Sequence, residues 1–117
     1  MNFDEFLAEL NINKEITLTR FAGMEKVLEK FLIKFSKDES IKKLEQAMNE
    51  GKTEDFERAA HTLKGLAANL GLDELSSEAA KCVQYLRQNN FEMAKNQYSL
   101  IYSEYERIIQ TIKKYTS

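Results

Sequence analysis

Thr53-Glu54-Asp55-Phe56-Glu57-Arg58-Ala59-Ala60-His61-Thr62-Leu63-Lys64-Gly65-Leu66-Ala67-Ala68-Asn69-Leu70-Gly71 is the stretch whose period decides the fold. Within it Phe56, Ala60, Leu63, Ala67 and Leu70 recur at steps of four, three, four and three. Such steps put the apolar side chains on one face of a helix and make that face a bundle contact. Thr53 offers an N-cap, and Glu54 and Asp55 place carboxylates where the helix dipole favours them. Gly71 suits a helix end, so the spacing predicts a helix over 54–70.

The same period extends in both directions. Downstream, Asp73 is placed to cap a helix over 73–89 with the stripe Leu75, Ala79, Cys82 and Leu86, ending at Asn89-Asn90. Phe91, Ala94, Tyr98, Ile101, Tyr105, Ile108, Ile112 and Tyr115 then mark a last helix over 91–115, with Arg107, Lys113 and Lys114 near its C-terminal dipole. Upstream, Met24, Leu28, Phe31 and Phe35 form one set, and Ile41, Leu44 and Met48 a second. At ~100° per residue the two sets point roughly 120° apart. The arm over about 20–50 is therefore bent or broken near Ser36–Ser40, with Gly51 at its end. Ile33 lies opposite the stripe of its own helix, either as an exposed contact or under the N-terminal helix. Phe3, Phe6, Leu7 and Leu10 predict a short N-terminal helix over 2–10, and residues 11–19 show no clear period and read as a connector. Long amphipathic helices with short connections must run antiparallel. The expectation is all-α: an up-down antiparallel four-helix bundle with an additional short N-terminal helix, in a single domain over 1–117.

Composition narrows what such a bundle does. Of 117 residues, 43% are hydrophobic and 31% charged, enough for one small core and against disorder. Lys and Arg number 17 against 19 Asp and Glu, a net charge of −2 that argues against nucleic acid or an anionic membrane as the partner. Proline is absent, which suits helices. The single cysteine, Cys82, excludes an intrachain disulfide and lies on its helix's apolar stripe as a buried structural thiol. No apolar run reaches a membrane-spanning length and no signal-peptide pattern opens the chain, so a cytoplasmic location is expected. The sequence contains no GxGxxG, no P-loop and no HExxH, and one histidine cannot build a histidine-rich metal site.

Attention falls on that histidine. A lone helical histidine is ordinarily a satisfied core or surface residue, and helical phase separates the two. With the 56–70 stripe at 0°, ideal geometry puts His61 near 140°, Lys64 near 80°, Ala68 near 120° and Gly65 near 180°, all rough angles. His61 therefore points to solvent, with Lys64 one turn along on the same side. Glycine inside a helix costs about 1 kcal/mol against alanine, and a solvent-facing position offers no packing reason for it. Gly65 is either a neutral surface glycine or the place where another molecule approaches the helix backbone beside His61. Ala68 continues that low relief. A neutral imidazole carries a nucleophilic ring nitrogen, whereas acid–base work on a small substrate needs a cleft that a convex helix face lacks. Accepting a phosphoryl group from a partner that brings its own metal needs little beyond an accessible nitrogen and a nearby cation.

His61-Thr62-Leu63-Lys64-Gly65-Leu66-Ala67-Ala68-Asn69-Leu70-Gly71 resembles the signature of histidine-containing phosphotransfer domains. The resemblance runs over roughly residues 20–115, through Gly51 and Ala59-Ala60 upstream and Leu72 to Leu86 downstream. It implies a phosphorelay carrier that takes phosphate on His61 from a receiver-domain phospho-aspartate and passes it to another receiver. Lys64 is then the cation beside the phosphoryl group, and Gly65 the small residue that admits the receiver. Ala68, Glu57 and Arg58 are expected on the same docking face. No cofactor of its own is expected, Mg²⁺ being supplied by the receiver, and the partners are response-regulator receiver domains and a sensor or hybrid histidine kinase. A four-helix core closes within one chain, so a monomer is expected. Two other readings remain open: a chemotaxis-type phosphoacceptor served by a separate ATP-binding kinase domain, and a plain helical adaptor. An autokinase is not expected, because 117 residues leave no room for an ATP-binding domain.

Overall fold

Seven helices and no strand make up the chain, whose computed structural model describes residues 1–117. They are α1 (Phe3–Glu9), α2 (Lys14–Thr19), α3 (Glu25–Phe35), α4 (Ser40–Asn49), α5 (Thr53–Asn69), α6 (Asp73–Arg87) and α7 (Phe91–Thr116). Helix α5 packs between α4 and α6, and α7 closes the ring against α6, α4 and α3. This is a four-helix bundle in which the broken α3–α4 arm fills one position. Helix α1 lies against α7, with Phe6 stacked on Tyr115 at 4.0 Å between ring centres.

The core is one cluster of buried side chains, and the stripes supply it. From α5 come Phe56, Ala60, Leu63 and Ala67; from α6, Leu75, Ala79, Cys82 and Leu86; from α7, Ala94, Ile101, Tyr105, Ile108 and Ile112. Burial in this apolar surround pushes the Cys82 thiol up to about 12. The last helix turns polar tips outward: the Tyr98 hydroxyl donates to Glu45 at 3.0 Å and that of Tyr115 to Glu29.

Four local expectations are corrected. First, the 11–19 stretch is not a plain connector, since it holds α2, whose Asn13 side chain accepts the Ile16 N–H at 3.0 Å. Six residues are too few to display a period, and only Thr17 of α2 is buried. Second, the α3 stripe is Leu28, Leu32 and Phe35, while Met24 and Phe31 are 57% and 45% exposed. Phe31 instead packs on Phe21 at the surface, with ring centres 5.7 Å apart.

Third and fourth, neither Thr53 nor Asp73 is an N-cap; Lys52 and Leu72 hold those positions without a side-chain cap bond. The turns are too short for an extra residue. Gly71 takes φ +79°, and the Leu72 N–H reaches back to the Ala67 carbonyl at 2.9 Å while the Leu72 carbonyl already accepts from Ser76. Leu72 thus ends one helix and begins the next, and Lys52 does the same after Gly51. Thr53 and Asp73 become first helical residues, where Asp73 still favours the dipole. The arm breaks between Phe35 and Ser40, and Ile33 is half-buried.

Candidate functional site

Helix α5 buries Phe56, Ala60, Leu63 and Ala67 completely, which fixes its rotation and turns His61 outward. His61, Thr62 and Gly65 are exposed, and Lys64 and Ala68 are half-buried at the edge of the same face. Along the axis His61, Gly65 and Ala68 follow one another at one-turn intervals. A Cβ built on Gly65 meets nothing within 4 Å, so this turn of the helix presents bare backbone to solvent. On the far side the Ser76 hydroxyl donates to the Lys64 carbonyl at 2.9 Å and ties α6 to this turn.

The charges on this face divide in two. Toward the N-terminus of α5 they are neutralised, Arg58 pairing with Asp55 at 2.9 Å and Glu57 with Arg87 at 3.1 Å. Glu57 is half-buried and Arg58 exposed, so both flank His61 but each is engaged within the chain. Toward the C-terminus the face is cationic. Lys64 takes part in none of the eight ion pairs of the protein. A second cation, which sequence reading did not single out, joins it there: Arg20 Nη1 donates to the Ala68 carbonyl at 3.0 Å. Its signal was hidden because Arg20 caps α2, at the junction between the 11–19 segment without a visible period and the arm read over about 20–50.

A shallow concavity of about 440 Å³ runs between α4 and α5, and of its ten lining residues only Ala47 and Ala59 are apolar. Lys43, Glu50, Arg58 and Thr62 line it with mixed polarity, unlike the apolar enclosures that hold small substrates. No group of three or more His, Cys, Asp or Glu side chains is placed to hold a metal ion. The arrangement is an exposed nucleophile on a low, convex, cationic surface, which suits contact with another protein.

Neither the curated proteins nor the solved structures give a significant match to the chain. The Hpt domain family does, its model matching residues 26–112 of the 117. That span takes in all but the first residue of α3 and nearly all of α7, with His61 and its face inside it. Residues 1–25 lie outside it. An exposed histidine on a bundle helix and a family match over most of the chain lead to one conclusion: the protein belongs to the Hpt domain family.

Proposed function

We propose that this chain is a phosphoryl carrier of a two-component phosphorelay, accepting phosphate on His61 from a receiver-domain phospho-aspartate and returning it to another. Hpt domains serve phosphotransfer in two-component signalling and act with histidine kinases and receiver domains. The observation that carries the finer reading is the open turn of α5, where an exposed imidazole stands beside a glycine with free space over its backbone. The open space over Gly65 leaves room for a receiver to bring an aspartyl phosphate to this turn.

The step balances without a resident cofactor. The lone pair of an unprotonated His61 ring nitrogen forms the N–P bond as the P–O bond to the aspartate breaks, and the electron pair leaves with the carboxylate. Lys64, one turn from His61 and unpaired, offsets the negative charge that the imidazole gains. Mg²⁺ is read as the receiver's contribution, since transfer of this kind rests on positioning and charge that a partner can supply. No helix is long and apolar enough to cross a membrane. The core closes within one chain, so a monomer suffices, and a cytoplasmic exchange partner suits the reading.

His61 is the only histidine, which makes the test direct. Incubation with a receiver charged by acetyl phosphate and Mg²⁺ should place an acid-labile, base-stable phosphate on the chain, and His61→Gln should abolish it. Label that survives this substitution, or that maps to Ser or Thr, overturns the assignment.

A further inference from the structure

We infer that Arg20 is a receiver-docking residue, supplied by the part of the chain outside the family match, that selects partners with a carboxylate at the corresponding place. This rests on the proposed exchange with a receiver. The protein has four arginines, and Arg58, Arg87 and Arg107 each pair with a carboxylate of the chain. Arg20 has no such partner; it is exposed and held by a backbone carbonyl on the His61 face.

Its position is fixed from behind. Thr17 and Ile12 lie over Gly71, where a Cβ would come within 3.0 Å of Ile12 Cγ2 and closer still to the Thr17 hydroxyl. Helix α1, just before them, is tied to α7, with Arg107 donating to the Glu9 carbonyl at 2.8 Å and Lys114 pairing with Glu9 at 3.1 Å. Lys14 adds pairs to Asp4 at 2.6 Å and Glu25 at 3.5 Å. The guanidinium is therefore presented at a set place on α5. The Ala68 carbonyl that it touches also accepts the Gly71 N–H at 3.1 Å, which saturates that oxygen and leaves the remaining guanidinium donors for other partners.

Distance and charge point to the receiver. Ala68 is seven residues from His61, about 10 Å along the axis. A standard protein interface covers roughly 800 Å² per partner, a patch reaching about 15 Å from its centre. A receiver centred on His61 covers Arg20 as well. The aspartyl phosphate is anionic and its Mg²⁺ is coordinated by carboxylates, so the approaching surface carries negative charge, while this end of the α5 face carries Lys64 and Arg20 unpaired.

A capping bond to the last turn of α5 also explains an arginine here, so the test must separate docking from folding. Phosphoryl transfer from an acetyl phosphate-charged receiver is measured for the whole chain and for Arg20→Ala, Arg20→Gln and Arg20→Glu, at low and high NaCl, beside thermal melts. The expected result is a rise in KM for the receiver of about fivefold for Ala and Gln and more for Glu, with kcat little moved and a flatter salt dependence. An unchanged KM in Arg20→Glu at low salt overturns the assignment. So does a loss of kcat and KM together that tracks a lowered melt, which marks a cap and nothing more. A wild-type chain that takes no phosphate from receivers, while potassium phosphoramidate still labels its imidazole, overturns the phosphorelay reading and this inference with it. A wild-type chain that exchanges normally beside an indifferent Arg20→Glu overturns this inference alone.

Discussion

Gly65 and Gly71 stand six residues apart at the end of the same helix and are glycine for opposite reasons. Gly65 has ordinary helical backbone with open space where its Cβ would be, and Gly71 has φ +79° with Thr17 and Ile12 pressed over it. At Gly65 the missing side chain leaves room outside the protein. At Gly71 it leaves room inside, for the N-terminal segment that carries Arg20. The fold bears the cost of the first glycine and depends on the second. One helix thus separates a surface kept bare from a junction kept tight, and each glycine can be filled to learn which property the protein needs.

The largest effect belongs to Gly71→Ala. The left-handed backbone costs an L-residue about 1–2 kcal/mol, and overpacking against Thr17 and Ile12 adds about 1–3 kcal/mol. Thr17 and Ile12 are 1% and 7% exposed, so neither can swing aside into water. The melt should fall by roughly 10 °C or more for a domain of this size. A variant that melts like wild type would show that α2 is loosely seated, and the contrast between the glycines would lose its structural half.

Gly65→Gln comes next and moves the other quantity. Nothing within 4 Å opposes a new Cβ, and glutamine is a better helix former than glycine, so the melt should hold or rise. Its side chain projects into the space beside His61 that the proposed receiver contact needs. Transfer should slow at least tenfold, about 1.4 kcal/mol of barrier. Wild-type transfer rates in this variant would place the docking face elsewhere, and an unfolded variant would make Gly65 a packing residue after all.

The two glycines also mark how far the sequence could be read. The stripes of α5, α6 and α7 are long enough for a 3.6-residue period to declare itself, and the outward placement of His61 and Gly65 follows from phase alone. Gly71 was legible as a helix end, but what presses on it was not. Helix α2 offers six residues with one buried, too short for a period, and its contact with the α5–α6 turn joins positions more than fifty residues apart. Arg20 was lost with it. The α3 stripe failed for a related reason: Phe31 and Leu32 are adjacent apolar residues, and only the packed neighbour decides which one turns inward. The N-caps failed because Leu72 and Lys52 each serve two helices at once, an economy of loop length that propensity does not report.

Lys64→Ala gives the smallest change in stability and tests whether the open face is electrostatic as well as bare. Lys64 is half-buried at the edge of that face, takes part in no ion pair, and lends its backbone carbonyl to Ser76 whatever its side chain. Removing the side chain leaves that bond in place. An exposed or edge charge contributes within about 1 kcal/mol, and alanine is the stronger helix former, so the melt should move by only a few degrees. The phosphorylated state should feel the change more. A phosphoryl group on His61 brings negative charge to a turn where Lys64 is the nearest unpaired cation along the helix, and its loss should slow transfer or shorten the phosphohistidine lifetime. Because Gly65 remains glycine in this variant, receiver access is untouched, and any loss reads charge rather than shape. An unaltered rate and lifetime would show that this turn needs bare backbone and not the Lys64 charge; a large loss of stability would show the Lys64 stem packing against α6 and place it with Gly71 among the residues that hold the fold.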